Sequence, residues 1–221
     1  MIFIIKVFLF VFLFQSAFSQ AEQGDWIHIT KRDGIDIYSR SSKNSPIKAL
    51  RGEGIIQSNI VQIVSVLRDV DGAQGWVPNL IKREYIKNIS DTEAVLYDIT
   101  NLPWPVKDRD MVMHHKLVLS PDKKGLILEF ESVENEKTYS ETYVRAHIHK
   151  GKILFIPKKD GRTFVKISML VDPMGKIPKW VVNLLQVKMP YEFIMALDKS
   201  ANKSNIPLLP GIQTLINQIS K

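Results

Sequence analysis

Four side chains in one part of this chain have the chemistry for proton transfer: Tyr97 and Asp98 in "LYDIT", and His114 and His115 in "MVMHHKL". A histidine titrates near neutrality, and a carboxylate beside it can orient or exchange a proton. No spacing pairs a nucleophile with a base, so the acid–base types stand without the third partner that covalent catalysis needs. His147 and His149 are two apart, which puts both on one face of a strand. Zinc takes three or four ligands, and no third accompanies them, so neither a metal nor another cofactor is expected.

The elements that must position these groups are strands. Counting from Arg109, alternation places Met111, Met113, His115 and Leu117 on one face, and on the strand before it Leu96, Asp98 and Thr100. Between the two runs lies "NLPWPVKD". Pro103 and Pro105 fix φ and lack an N–H donor, so this is a stiff connection and not part of a ladder.

The surrounding pattern is of the same kind. "GIDIYSRSS" and "PIKALRGEGII" alternate polar and apolar residues, and strand-like runs follow near 81–90, 93–101, 109–119, 125–133, 140–149, 151–157 and 161–171. Short turn signals at 90–91, 120–125, 149–152 and 158–161 favour antiparallel pairing in chain order. Ser58 can cap a short helix carrying Ile60, Val61, Ile63, Val64 and Leu67. After "DPMGKIP" the period becomes helical, with Trp180, Val181, Leu184 and Leu185, then Phe193, Ile194 and Leu197 on the stripe and Pro190 as an expected kink. A short last helix carries Ile212, Leu215, Ile216 and Ile219. Many strands followed by one long helix make an α+β chain.

Residues 1–19 read as a cleaved secretory signal. Val7–Phe14 is unbroken and apolar, and Ala17 and Ser19 suit a signal-peptidase cut before Gln20. The run is too short for a membrane span. A secreted or periplasmic protein is expected, one domain at 20–201 with an extension at 202–221. Without cysteine, packing alone must hold it together. The net charge of +7 comes with basic residues scattered as pairs such as Lys31-Arg32 and Lys82-Arg83. Such pairs add weak attraction to anionic lipid head groups. No basic helix with interleaved aromatics is present, so nucleic acid is not an expected partner.

"WVPNL" (76–80), "LPWPVKDRD" (102–110), "VRAHIHKGK" (144–152) and "VDPMGKIPKWVVN" (171–183) occur in that order, and together they resemble the START family, the steroidogenic-acute-regulatory-related lipid transfer domains. The resemblance implies a helix-grip fold: a curved nine-stranded antiparallel sheet around a long C-terminal helix, with an internal cavity for one lipid. It implies lining by Leu96, Asp98, Thr100, Met111, Met113, His115 and Leu117 of the central strands. Met169 of the last strand and Trp180, Leu184, Met189 and Phe193 of the helix complete the implied set. Arg109 and Arg145 match family arginines and Asn183 a family asparagine; a structural ion pair is the expected role for Arg145, and capping or packing for Asn183. Trp104 is expected to plug the core.

Where many relatives carry a cavity arginine six residues after the Arg of "RD", this chain has His115. If the strands pair about a centre near 106–107, Asp98 falls opposite His115, and the two are expected to form a polar pair in an apolar pocket. The alternative is a bulge that turns Asp98 outward. The function expected is non-catalytic binding and transfer of one lipid by a monomer that touches membranes transiently, gated by the 176–199 helix hinged at its start. Two alternatives stand beside it: a helix-grip cyclase or hydrolase using cavity His and Asp, and an envelope interaction module using the extra C-terminal helix.

Overall fold

The structure, a computed structural model, describes residues 25–42, 45–203 and 205–220. The expected leader and its cut site lie outside the described residues. Ten strands form one sheet: β1 (Ile27–Arg32), β2 (Ile35–Ser42), β3 (Ser45–Ile56), β4 (Leu80–Ser90), β5 (Glu93–Thr100), β6 (Arg109–Leu119), β7 (Leu126–Ser132), β8 (Val144–Arg145), β9 (His147–Pro157) and β10 (Thr163–Asp172). Nine of them run antiparallel in the order β1-β2-β3-β10-β9-β7-β6-β5-β4, and the two-residue β8 pairs parallel with β6. Among the described residues there are three α-helices, α1 (Ile60–Arg68), α2 (Lys179–Ala201) and α3 (Pro210–Asn217), and one 3-10 turn at Ala73–Gly75. This is the α+β helix-grip arrangement, with an open sheet.

Period-two alternation sorts the sheet into two faces. The inner face is apolar: Ile37, Phe155, Val165 and Ile167 are buried there with Ile194 and Leu197 of α2 and Ile63 and Val64 of α1. Each such side chain contributes about 1.5–3 kcal/mol on burial, which is how a chain without disulfides holds together. The outer face carries cross-strand charge pairs, Glu93 with Lys116 at 3.3 Å and Glu129 with Lys152 at 2.6 Å. Over β4–β6 the outer face is also covered by the 133–143 loop. Beneath it the Tyr97 hydroxyl donates to Asp110 at 2.9 Å, and Arg145 meets the same carboxylate at 2.9 and 3.0 Å.

Two local expectations change, and one strand, β1, appears that the pattern did not announce. The 149–152 turn signal lies inside one strand, β9. Gly151 is needed there because a Cβ would sit 2.1 Å from the Phe130 ring on β7, so this glycine marks a close approach and not a turn. Asn59, not Ser58, caps α1, in a reciprocal box with Gln62. Ser58 is drawn to α2 instead, its hydroxyl donating to Asp198 at 2.6 Å. The edge strand β1 carries no periodic signal because nearly all its residues are exposed.

Two features set how α2 grips the sheet. Its C-terminal half is fastened: Asp198 accepts from the Ser58 N–H at 2.9 Å, and Pro190 packs over Gly52 of β3, where a Cβ would come within 2.8 Å of the Pro190 ring. Its start follows a turn with positive φ at Met174 and Gly175. The extension folds back on the domain. Ile212 is fully buried, the Gly211 N–H donates to Asp91 at 2.7 Å, and Leu215, Ile216 and Ile219 pack against the main core.

Candidate functional site

Between the inner face and α2 lies a cavity of about 350 Å³. Six strands, β4 to β7, β9 and β10, build its wall, β4 giving Leu80 and Arg83 and β7 giving Leu128 and Phe130. Asp98 and Thr100 come from β5, Met111, Met113 and His115 from β6, Ile148 and Ile153 from β9, and Ile167 and Met169 from β10. α2 closes it with Leu185, Met189 and Phe193, one turn apart on one stripe. The Trp76 loop and Leu102–Pro103 complete the rim, and Trp76 packs on Phe193 with ring centroids 5.6 Å apart.

Several expected residues stand elsewhere. Leu96 and Leu117 share the inner face but lie beyond the cavity's end, where with His115 they line a separate space of about 20 Å³. Trp180 does not reach the cavity and is 52 % exposed, because Val181 takes the inward position at the start of α2. The side chains of Asn183 and Leu184 lie outside the described residues. Trp104 is not a core plug: it is 89 % exposed, turned outward while Pro103 lines the cavity. Arg145 sits on the outer face with Asp110, as described above.

Asp98 does face inward, but His115 is not its partner. The ladder pairs Asp98 with Met111 and His115 with Ala94. The connection closes earlier than a centre at 106–107 requires, because Asp108 accepts from the Asn101 side chain at 3.0 Å and the Leu102 N–H at 3.1 Å, bringing Thr100 opposite Arg109. The shift is even, so both side chains keep their face. Asp98 instead receives Arg83 from β4, Nε to Oδ1 at 2.8 Å and Nη2 to Oδ2 at 2.6 Å. Burial is the strongest single influence on the Arg83 pKa and lowers it, but the charge and the hydrogen bonds of Asp98 together outweigh it and leave the pKa raised. Arg83 was hidden in the sequence as half of a Lys82-Arg83 pair of surface type. Its only signal was its inward parity opposite Asp98.

His115 packs on Phe130 at 5.7 Å, and its Nε2 is buried without a protein partner. Loss of water pushes its pKa down to about 3, with the Arg83 charge adding to the effect. The ring is therefore neutral. His114 points outward to Glu93 at 2.8 Å. Arg109 lines the cavity at its other end and donates to the carbonyls of Pro173 at 2.8 Å, Met174 at 2.8 Å and Lys107. Burial holds its pKa below the usual value. No group of three or more potential metal ligands occurs among the described residues.

The family model described as the START domain matches residues 16–200. An uncharacterized protein of Pseudomonas aeruginosa is 28% identical over 182 residues, 81% of this chain and 88% of that protein. The crystal structure of the STAR-related lipid transfer protein from Xanthomonas axonopodis (fragment 25–204) is 28% identical. It covers 80% of this chain and 98% of that one, with a TM-score of 0.70. The human StAR-related lipid transfer protein 5, at 21% identity over 82% and 88% of the two chains, has the same fold with a TM-score of 0.71.

Proposed function

The chain belongs to the START domain family, and on that premise we propose that it binds and carries one hydrophobic molecule in the cavity, without chemical turnover. The observation that carries this reading is a mostly apolar wall whose charges are answered within the protein: Arg83 by Asp98, Lys188 by Glu192, and Arg109 by backbone carbonyls. Groups that would do acid–base work are either held by a partner or stripped of basicity by burial. Tyr97 serves Asp110, Asp98 is held bidentate by Arg83, and His115 is kept neutral by burial.

Size and charge narrow the cargo. A cavity of about 150 Å³ takes benzene, so this one holds on the order of fifteen non-hydrogen atoms: a single tail or a compact ring system. A two-chain phospholipid is too large. With Arg83 and Asp98 neutralising each other and His115 uncharged, an ionised head group there would lose its water without gaining a counter-charge. The cargo's inner end is therefore a hydroxyl or carbonyl.

The exit is the N-terminal half of α2, hinged at Pro190 and not at its start. The half beyond Pro190 is riveted by Asp198 and by the Gly52 seat, whereas the half before it holds Leu185 and Met189 over the cavity. Lids are drawn from segments with few fixed bonds.

Mass spectrometry of an organic extract of the purified protein tests the reading. One neutral compound of the stated size, in roughly equal amount to the protein, supports it. Extracting only two-chain phospholipid, or finding that 1-aminoanthracene neither enters the protein nor is displaced by long-chain alcohols, would overturn it.

A further inference from the structure

Four inward side chains follow one another along β6, and they divide between two spaces. Met111 and Met113 line the large cavity, Leu117 lines the separate space of about 20 Å³, and His115 lines both. On β5 the same boundary falls between Asp98, which faces the large cavity, and Leu96, which faces the small space. Among the described residues, only Leu67 of α1 and Leu128 of β7 border both spaces as His115 does. These three side chains are the partition between them.

The His115 ring holds its place in that partition by packing. It lies against Phe130, its Nε2 is buried without a protein partner, and the residue opposite it on β5 is the small Ala94. The room behind it is walled by Val64, Val70, Leu96 and Leu117, with Thr92 and Arg68 as the polar exceptions. Arg68 turns its guanidinium away, to the Asn88 side chain at 3.1 Å and the Ser90 carbonyl at 3.0 Å. We infer that His115 is the stop that selects cargo by the position of its polar group. A molecule whose hydroxyl or carbonyl is terminal fits against the ring, and one with an alkyl arm beyond that group is refused.

The reason is steric. The space behind the ring is about the size of one water, too small for an alkyl arm, and the imidazole fills the passage to it. Removing the ring joins the two spaces and gives such an arm an apolar lining. Each methylene that then enters adds about fourfold in affinity. The inference rests on the cargo reading, which puts the polar group at the cargo's inner end.

The test measures displacement of 1-aminoanthracene by two positional isomers of equal size, 1-dodecanol and 5-dodecanol, from the chain beginning at residue 20. The parent is expected to prefer 1-dodecanol by about tenfold or more. His115→Ala is expected to bring the two isomers within about threefold, as the inner arm of 5-dodecanol enters the joined space. His115→Phe, which refills the place with an apolar ring, is expected to keep the parent's preference. Leu67→Ala thins the same partition from α1 and is expected to shift the ratio as His115→Ala does, so it serves should that variant fail to fold. A parent that binds both isomers equally, a ratio unchanged by thinning the partition, or a preference lost in His115→Phe overturns the inference while leaving the cargo reading intact. If neither isomer displaces the dye from any of these proteins, the cargo reading falls and the inference with it.

Discussion

Arg83 of β4 and Asp98 of β5 meet inside the cavity wall as a bidentate pair, at 2.8 and 2.6 Å, and both are almost fully withdrawn from bulk water. Removing one partner strands the other's charge, whereas removing both leaves an apolar wall. Arg83→Met or Asp98→Leu alone is expected to cost about 3–5 kcal/mol, and the double variant to recover most of that loss. Urea unfolding of the three variants checks this. Singles that cost as little as a surface pair would mean that water reaches the site. The double variant is also expected to keep purely apolar cargo while losing preference for a hydroxyl end.

His115 makes stability depend on pH in a defined window. In the unfolded chain the ring takes a proton near pH 6.5; in the fold it stays neutral down to about 3. The unfolded state therefore binds the extra proton first. The contribution is complete above 6.5 and is lost as pH falls toward 3. Between pH 6.5 and 5, above the range of most carboxylates, the loss is expected to be roughly 1–2 kcal/mol. His115→Leu is expected to flatten that part of the curve. An unchanged slope in the variant would assign it to another group.

Gly52 is the seat of Pro190, where the proposed hinge of α2 lies. A methyl there would meet the Pro190 ring at 2.8 Å, Ile194 at 3.2 Å and Ile37 at 3.3 Å. Gly52→Ala is expected to lower stability by about 1–3 kcal/mol through overpacking and to speed dye exchange by loosening the fixed half of α2. Thermal melts with stopped-flow release measure both. Slower release with lower stability would place the hinge elsewhere.

The leader is tested directly. Expressed from its full sequence in a host that exports it, the protein is expected outside the cytoplasm with Gln20 as its first residue. N-terminal sequencing that begins at Met1 would refute the cut.

Much of the fold was legible because its signals are local. Period two marks a strand and period 3.6 a helix within a window of about ten residues. The four motifs in order placed those elements in the START family. Parity is local as well, so Asp98, Thr100, Met111, Met113 and His115 could be assigned to one face without knowing their neighbours. Which neighbour each one meets is not local. It depends on strand order and on where a connection closes: the Asp108 brace moved His115 from Asp98 to Ala94, and strand order delivered Arg83 from β4 in its place. A glycine is equally ambiguous in sequence. The residue type that permits a turn also permits close approach, and only the Phe130 ring decides which applies at 151. Trp104 shows the same division. Its prolines announce a stiff connection, but whether a stiff connection points into the core or into solvent is settled by the elements that fill the space around it.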